Sequence, residues 1–188
     1  QEYDVMGTDV SCNLGSTNIP NLMKTPDFEK SVEAMVRALT YVTDHSKIDV
    51  VPSVQHGNDL AHSIGLGAMG LHTYFAKHHM HYGSPESLDF TNQYFLLLNY
   101  YTLKASNKIA RERGVVFDNF EASKYADGTY FDKYIDGDWD IKFDKVREQF
   151  QGIAIPTKDD WRALKAAVMQ DGLYHQNRMA VAPNGSIS

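Results

Sequence analysis

The sequence predicts an α/β fold rich in helix with parallel strands, and three observations carry that expectation. Apolar residues recur at spacings of three and four through most of the chain after Thr25. Short β-branched or alternating runs at residues 115–117, 153–155 and 174–182 each follow a helical stretch. No repeat, linker or low-complexity tract divides the 188 residues, so residues 1–188 read as one unit without an internal boundary. Helices interleaved with isolated strands favour parallel pairing.

Taken in order, the first helix is expected to start near Thr25 as cap with Pro26 in its first turn, and Phe28, Val32, Met35, Val36, Leu39 and Val42 mark its apolar stripe. A second helical reading covers about residues 53–81 through Leu60, Ile64, Leu71 and Phe75, although Gly57, Gly65, Gly67 and Gly70 weaken it. Ser84-Pro85-Glu86 opens the longest helix, which runs to about Arg113 with Leu88, Phe95, Leu98, Ala105 and Ile109 on one face and Gly114 as its stop. Residues 118–140 combine seven acidic residues with Phe120, Tyr125, Tyr130, Phe131, Tyr134 and Trp139, the pattern of a surface excursion of short helices pinned by aromatics. Thr157 with Asp160 forms a capping-box signature, Trp161, Leu164 and Val168 continue the helix, and Gly172 ends it.

Composition narrows the function classes. With 43% hydrophobic and 22% charged residues the chain is of the ordinary globular kind, and 18 basic against 24 acidic residues leave a net charge of −6. That balance, without a basic cluster, argues against nucleic acid as a partner. No apolar run is long enough for a membrane span, and the one cysteine, Cys12, excludes an internal disulfide and suits a reducing, cytoplasmic setting.

Four constellations are candidates for chemistry. Gly65, Gly67 and Gly70 match the G-x-G-x-x-G fingerprint of nicotinamide dinucleotide sites, with Glu86 and Asp89 near the position of a ribose-binding carboxylate. That reading requires a strand ending at Ile64, whereas the preceding residues are polar and helical in period, and a helix through Gly65 would exclude it. The alternative is that the glycines let a helix approach a sheet or barrel wall. The histidines at 78, 79 and 81 suggest a metal, yet they lie where a helix C-terminus favours imidazoles, and no metal site is expected. Residues 174–188 run from an alternating segment into Pro183-Asn184-Gly185-Ser186-Ile187-Ser188, either a phosphate cradle of backbone N–H groups and hydroxyls or an Asn-Gly hairpin turn. Cys12 stands where a short strand is expected to end in a turn; most lone cysteines are inert core residues.

Several segments in fixed order resemble the large, catalytic subunit of ribonucleotide reductase, specifically the bacterial class Ib type. They are Asp9-Val10-Ser11-Cys12-Asn13-Leu14-Gly15-Ser16, His62-Ser63-Ile64-Gly65-Leu66-Gly67 with Gly70-Leu71-His72, Leu88-Asp89-Phe90-Thr91-Asn92, Ala105-Ser106-Asn107 with Ala110-Arg111-Glu112-Arg113-Gly114, Ser123-Lys124-Tyr125, Ile155-Pro156-Thr157-Lys158-Asp159-Asp160-Trp161 and the closing Pro183-Asn184-Gly185-Ser186-Ile187-Ser188.

The resemblance implies that the chain is a helix-rich segment of a ten-stranded α/β barrel, the catalytic barrel domain, that reduces ribonucleoside diphosphates to deoxyribonucleoside diphosphates by thiyl-radical chemistry. Cys12 would be one member of the redox-active cysteine pair, with its partner and the radical cysteine in sequence before Gln1. Pro183, Asn184, Gly185, Ser186 and Ile187 would cradle the substrate diphosphate; threonine is common in the family where Asn184 stands. The implied partners are a small subunit carrying a dinuclear metal and tyrosyl radical, a thioredoxin- or glutaredoxin-like reductant, and a second large subunit, with no cofactor bound by this chain. A nicotinamide-dependent oxidoreductase built on the glycine motif and a noncatalytic helical interaction module are the competing readings.

Overall fold

The protein is described here from a computed structural model covering residue 9 and residues 11–185. Two short strands, β1 (Asn13–Asn18) and β2 (Ile64–Met69), pair in parallel, Asn13 opposite Ile64 through to Asn18 opposite Met69. A third extended segment flanks β2 on its other edge. The Ile64 and Leu66 N–H groups donate to the carbonyls of Asn177 and Arg178 at 3.0 and 2.9 Å, and the Ala180 N–H donates back to Leu66 at 3.3 Å. The order is thus β1, β2, residues 177–180, a piece of parallel wall with helical crossovers between its members.

Between β1 and β2 lie α1 (Ile19–Leu22), α2 (Phe28–His45) and α3 (Pro52–Ala61). Phe28, Val32 and Val36 of the expected α2 stripe are buried and Met35 and Leu39 half-buried, but Val42 is 48% exposed and Thr40 and Thr43 take the inward positions of the last turns. The cap is Asp27, whose carboxylate accepts the Lys30 N–H at 3.0 Å, while the Thr25 hydroxyl donates to the Leu22 carbonyl. The expected helix over residues 53–81 is replaced by α3, β2 and α4 (Leu71–Lys77). Helix α3 stops at His62, which turns into the left-handed region at φ 47°, and pairing with β1 then holds residues 64–69 extended. Ile64 and Leu66 are fully buried on one face of the strand while Gly65 and Gly67 occupy the other, an alternation that the helical period of the flanking residues conceals.

Helix α5 (Pro85–Arg113) is the spine of the molecule, opened by the Ser84 cap and closed by Gly114 at φ 64°, as expected. Its buried stripe begins at Ser87 and Phe90, so Leu88, assigned to the core by its spacing, faces outward and is 57% exposed. The excursion over residues 118–140 carries α6 (Thr129–Asp136), followed by α7 (Asp144–Gln149) and α8 (Lys158–Asp171). The Thr157–Asp160 capping box forms in both directions. Trp161 stacks on Tyr134 with ring centres 4.2 Å apart and planes within 7°, so the aromatics pin the excursion to α8.

Two of the three expected strands do not form. Residues 115–117 run beside the end of α8 with one bond, Phe117 N–H to the Leu173 carbonyl at 3.1 Å, and residues 153–155 leave a turn without a ladder partner. In the third, only residues 177–180 pair, against β2. The described architecture is therefore α/β with one small parallel sheet, narrower than a ten-stranded barrel. No described helix is long and apolar enough to cross a membrane.

Candidate functional site

The sheet has two unlike faces. Asn13, Gly15 and Thr17 of β1 look toward the helices: the Asn13 amide donates to the Thr43 hydroxyl at 2.8 Å, a Cβ on Gly15 would touch Leu39, and Thr17 bonds the Tyr94 hydroxyl at 2.7 Å. By the two-residue period of a strand, Cys12, Leu14 and Ser16 share the opposite face with Gly65 and Gly67. Leu14 is 55% exposed there, so this face is not covered by the described residues.

Cys12 is aimed by its neighbours. The Ser11 hydroxyl donates to Asn58 at 3.0 Å, Asn58 donates to the Thr43 carbonyl at 3.0 Å, and Asn13 is tied to Thr43 as well. With the residues on both sides anchored to the helical layer, the Cys12 sulfur is left on the open face, within 3.0 Å of where a Cβ on Gly65 would stand. Burial raises the pKa of this half-buried thiol, so it stays protonated at neutral pH. Cys12 precedes β1 rather than ending a strand in a turn, because β1 continues through Asn18.

The closing loop returns to the same face. Ser16 donates its hydroxyl hydrogen to the Asn184 Oδ1 at 2.8 Å, and the Asn184 Nδ2 donates to the Ala68 carbonyl at 3.1 Å. One side chain thereby fastens residues 183–185 across the ends of β1 and β2. Cys12 and Ser16 are four residues apart on one strand face, about 13 Å at ~3.3 Å per residue, so the thiol and the loop stand at opposite ends of that face. Pro183 and Gly185 are exposed and Asn184 between them is half-buried; Ser186 and Ile187 lie outside the described residues.

The glycines serve close packing, but in a strand rather than in the expected helix. A Cβ on Gly65 would come within 2.9 Å of the Ala180 Cβ, and one on Gly67 within 2.2 Å of the Ala180 carbonyl oxygen. The fingerprint turn of a dinucleotide site is not formed. The strand begins at Ile64, where that site needs it to end, and Gly65 and Gly67 lie within it. Asp89 is occupied otherwise, accepting the Lys142 and Phe143 N–H groups at 2.9 and 3.1 Å. His78 caps the C-terminus of α4, and burial and neighbouring cations lower its pKa. Among the described residues no three His, Cys, Asp or Glu side chains converge to hold a metal ion.

Sequence reasoning did not assign Ser16, Asn58 or Thr43. Ser16 was accessible in principle, as a polar residue two positions from Leu14 in a strand; Asn58 and Thr43 carry no local signal, since their partners are 47 and 30 positions away.

Comparison with known proteins bears on this geometry. Residues 2–188 match the family described as ribonucleotide reductase, barrel domain. The ribonucleoside-diphosphate reductase subunit alpha of Bacillus subtilis is 46% identical over 100% of this chain, which covers 27% of that protein. The subunit alpha of Mycoplasma pneumoniae is 42% identical over 99% of the chain and 26% of its own length. The ribonucleoside-diphosphate reductase large subunit of equine herpesvirus 1 is 31% identical over 94% of the chain and 22% of its own length. The chain thus spans about a quarter of the length of these curated relatives.

Proposed function

The chain belongs to the ribonucleotide reductase barrel-domain family, and from that premise we propose that it supplies the reductive half of a substrate groove in a ribonucleoside-diphosphate reductase large subunit of class Ib. The observation that carries the reading is the shared strand face, with Cys12 at one end and the Asn184-fastened loop at the other.

In this reading the backbone N–H groups around Gly185, together with Ser186 and Ile187, hold the diphosphate. A cradle of neutral donors needs no protonation step, and Pro183 and Asn184 set its orientation. The ribose then lies along β1 toward Cys12, where Gly65 leaves room beside the sulfur. The thiol pKa, raised by burial, suits a group that must hand over hydrogen. Cys12 and a second cysteine, from outside these 188 residues, each give up a hydrogen and close a disulfide. The two electrons reduce the 2′ carbon, and the 2′ oxygen leaves as water. A thioredoxin- or glutaredoxin-like dithiol restores the pair by exchange.

A dinuclear metal and tyrosyl radical, held by a partner small subunit and not by this chain, would supply the radical that starts the reaction. We further assign the protein to the cytoplasm and to a homodimer of large subunits. The remaining strands of a ten-stranded barrel would cover the open face that Leu14 exposes.

The test is Cys12→Ser in the full-length protein. The variant is expected to lose multi-turnover reduction of ribonucleoside diphosphates while still binding them; undiminished turnover with a dithiol protein as reductant refutes the assignment.

A further inference from the structure

Arg178 stands apart from the other charged groups of the wall. It is 5% exposed, and its Nε and Nη1 atoms have no hydrogen-bond partner among the described residues. Among the described residues the guanidinium makes one hydrogen bond, from Nη2 to the Tyr125 hydroxyl at 3.1 Å, with the guanidinium carbon 4.9 Å from the Tyr125 ring centre. Arg37, Arg113, Arg147 and Arg162 each pair with a carboxylate, and all are more exposed. A buried cation without a counter-charge is costly, because desolvation is not offset by a partner.

The guanidinium borders a cleft of about 360 Å³ lined by Asn99, Tyr125, Tyr130, Tyr134, Gln176 and Asn177, among others, with no acidic residue. In a chain with 24 acidic residues, that composition is selective. Tyr130 donates to Asn99 at 3.0 Å and Asn99 to Tyr134 at 2.9 Å, so the polar wall is fixed by its own bonds. Lys133 lies 5.2 and 4.8 Å from the ring centres of Tyr130 and Tyr134, adding positive potential. The volume falls in the range of small-molecule sites, and fixed amides, hydroxyls and an arginine are the donors that oxyanions select.

We propose that this cleft binds a small molecule through an oxyanion group, phosphate or carboxylate, seated on the free nitrogens of Arg178. The site is separate from the groove: it lies between α5, α6 and residues 176–179, where Phe95 and Asn99 come from the helical layer. It would place a ligand on the strand segment that leads directly into the Asn184 loop, so occupancy would steady that segment.

The experiment is titration of the full-length protein and of its Arg178→Leu and Arg178→Lys variants with inorganic phosphate, read by calorimetry. The native protein is expected to bind one equivalent of phosphate more than Arg178→Leu, and Arg178→Lys to keep that equivalent at roughly tenfold weaker affinity, the loss of a forked contact. Because the groove loop is intact in all three, the difference isolates this cleft, and the readout does not depend on turnover. Equal stoichiometry in native protein and Arg178→Leu overturns the proposal. As a check independent of variant folding, crystals of the native protein soaked in tungstate should show anomalous density against Arg178; a protein carboxylate found in that place overturns it.

Discussion

The helical layer and the strand wall of this chain are built to opposite specifications. Around Trp161 the helices α5, α6 and α8 bury Tyr94, Leu97, Leu98, Leu103, Phe131 and Val168 almost completely, in contacts that are apolar and aromatic. The wall buries Ile64 and Leu66 against that layer but presents Cys12, Ser16, Gly65 and Gly67 on its other face, where little is large and much can hydrogen-bond. Stability is concentrated in the first region, and the function proposed above places the chemistry in the second. A site that must admit a substrate cannot fill its own volume with side chains, and the layer behind it supplies the rigidity.

The contrast can be broken most forcefully at Trp161. Trp161→Ala removes a side chain that is 2% exposed and touches Tyr100, Phe131 and Tyr134. A loss of about 4 kcal/mol in unfolding free energy is expected, from burial and cavity costs together, without a change at the Cys12 face; denaturant unfolding measures it. Gly67→Ala asks the same question of the wall. Its new methyl would sit 2.2 Å from the Ala180 carbonyl oxygen, a backbone atom, so residues 177–182 must move. The expected cost is about 2 kcal/mol, with a disproportionate loss of substrate affinity because the displaced segment carries the Asn184 loop. Native stability and native affinity in this variant would show that the third segment is not seated on β2 as described.

Acid should weaken the seam between the two regions. His175 is fully buried, with Nε2 2.8 Å from the Thr40 hydroxyl and Nδ1 2.9 Å from the Ser106 hydroxyl. Thr40 already donates its hydrogen to the Val36 carbonyl, so Nε2 must carry the imidazole proton and Nδ1 must accept from Ser106. Burial drives the His175 pKa down to about 3, against 6.5 for a free imidazole. Below pH 6.5 the unfolded chain takes up a proton that the folded chain refuses, so the stability is complete above that pH and drains away as pH falls toward 3. By pH 5 the loss is about 2 kcal/mol. His62, whose pKa burial also lowers, acts in the same direction. Urea midpoints at pH 7 and pH 5 measure the slope, and His175→Gln should flatten it.

The same division governs what could be read from the residues alone. The first three turns of the α2 stripe, the full extent of α5, the aromatic excursion and the Thr157–Asp160 box were all legible, because helical burial writes a period of three to four into the sequence and caps use a small set of side chains. The wall was not. Ile64 and Leu66 alternate with glycines, and a strand of six residues so composed is hidden between α3 and α4, whose periods run up to its edges. The runs at 115–117 and 153–155 looked more like strands by composition, but among the described residues no strand lies beside them to form a ladder. Family resemblance pointed to Cys12 and the closing loop. The anchors that aim the thiol, Asn58 and Thr43, depend on contacts across tens of residues and emerge only in the folded chain.

The smallest expected effect is the most discriminating. Asn184 joins the loop to both strands, accepting from Ser16 and donating to the Ala68 carbonyl, and it is partly buried. Asn184→Ala should cost about 1 kcal/mol of stability, the net worth of an ordinary side-chain hydrogen bond or two with solvent access, since the helical layer does not sense the loop. In the full-length protein the loss should appear mainly as a higher KM for the ribonucleoside diphosphate, with the pKa of the Cys12 thiol unchanged at the far end of the strand. Asn184→Thr should restore part of the affinity only if its hydroxyl can reach Ser16, since it has no second donor for Ala68. If instead Asn184→Ala lowers kcat and leaves KM alone, the loop does not position the diphosphate, and the two ends of the strand face do not form one groove.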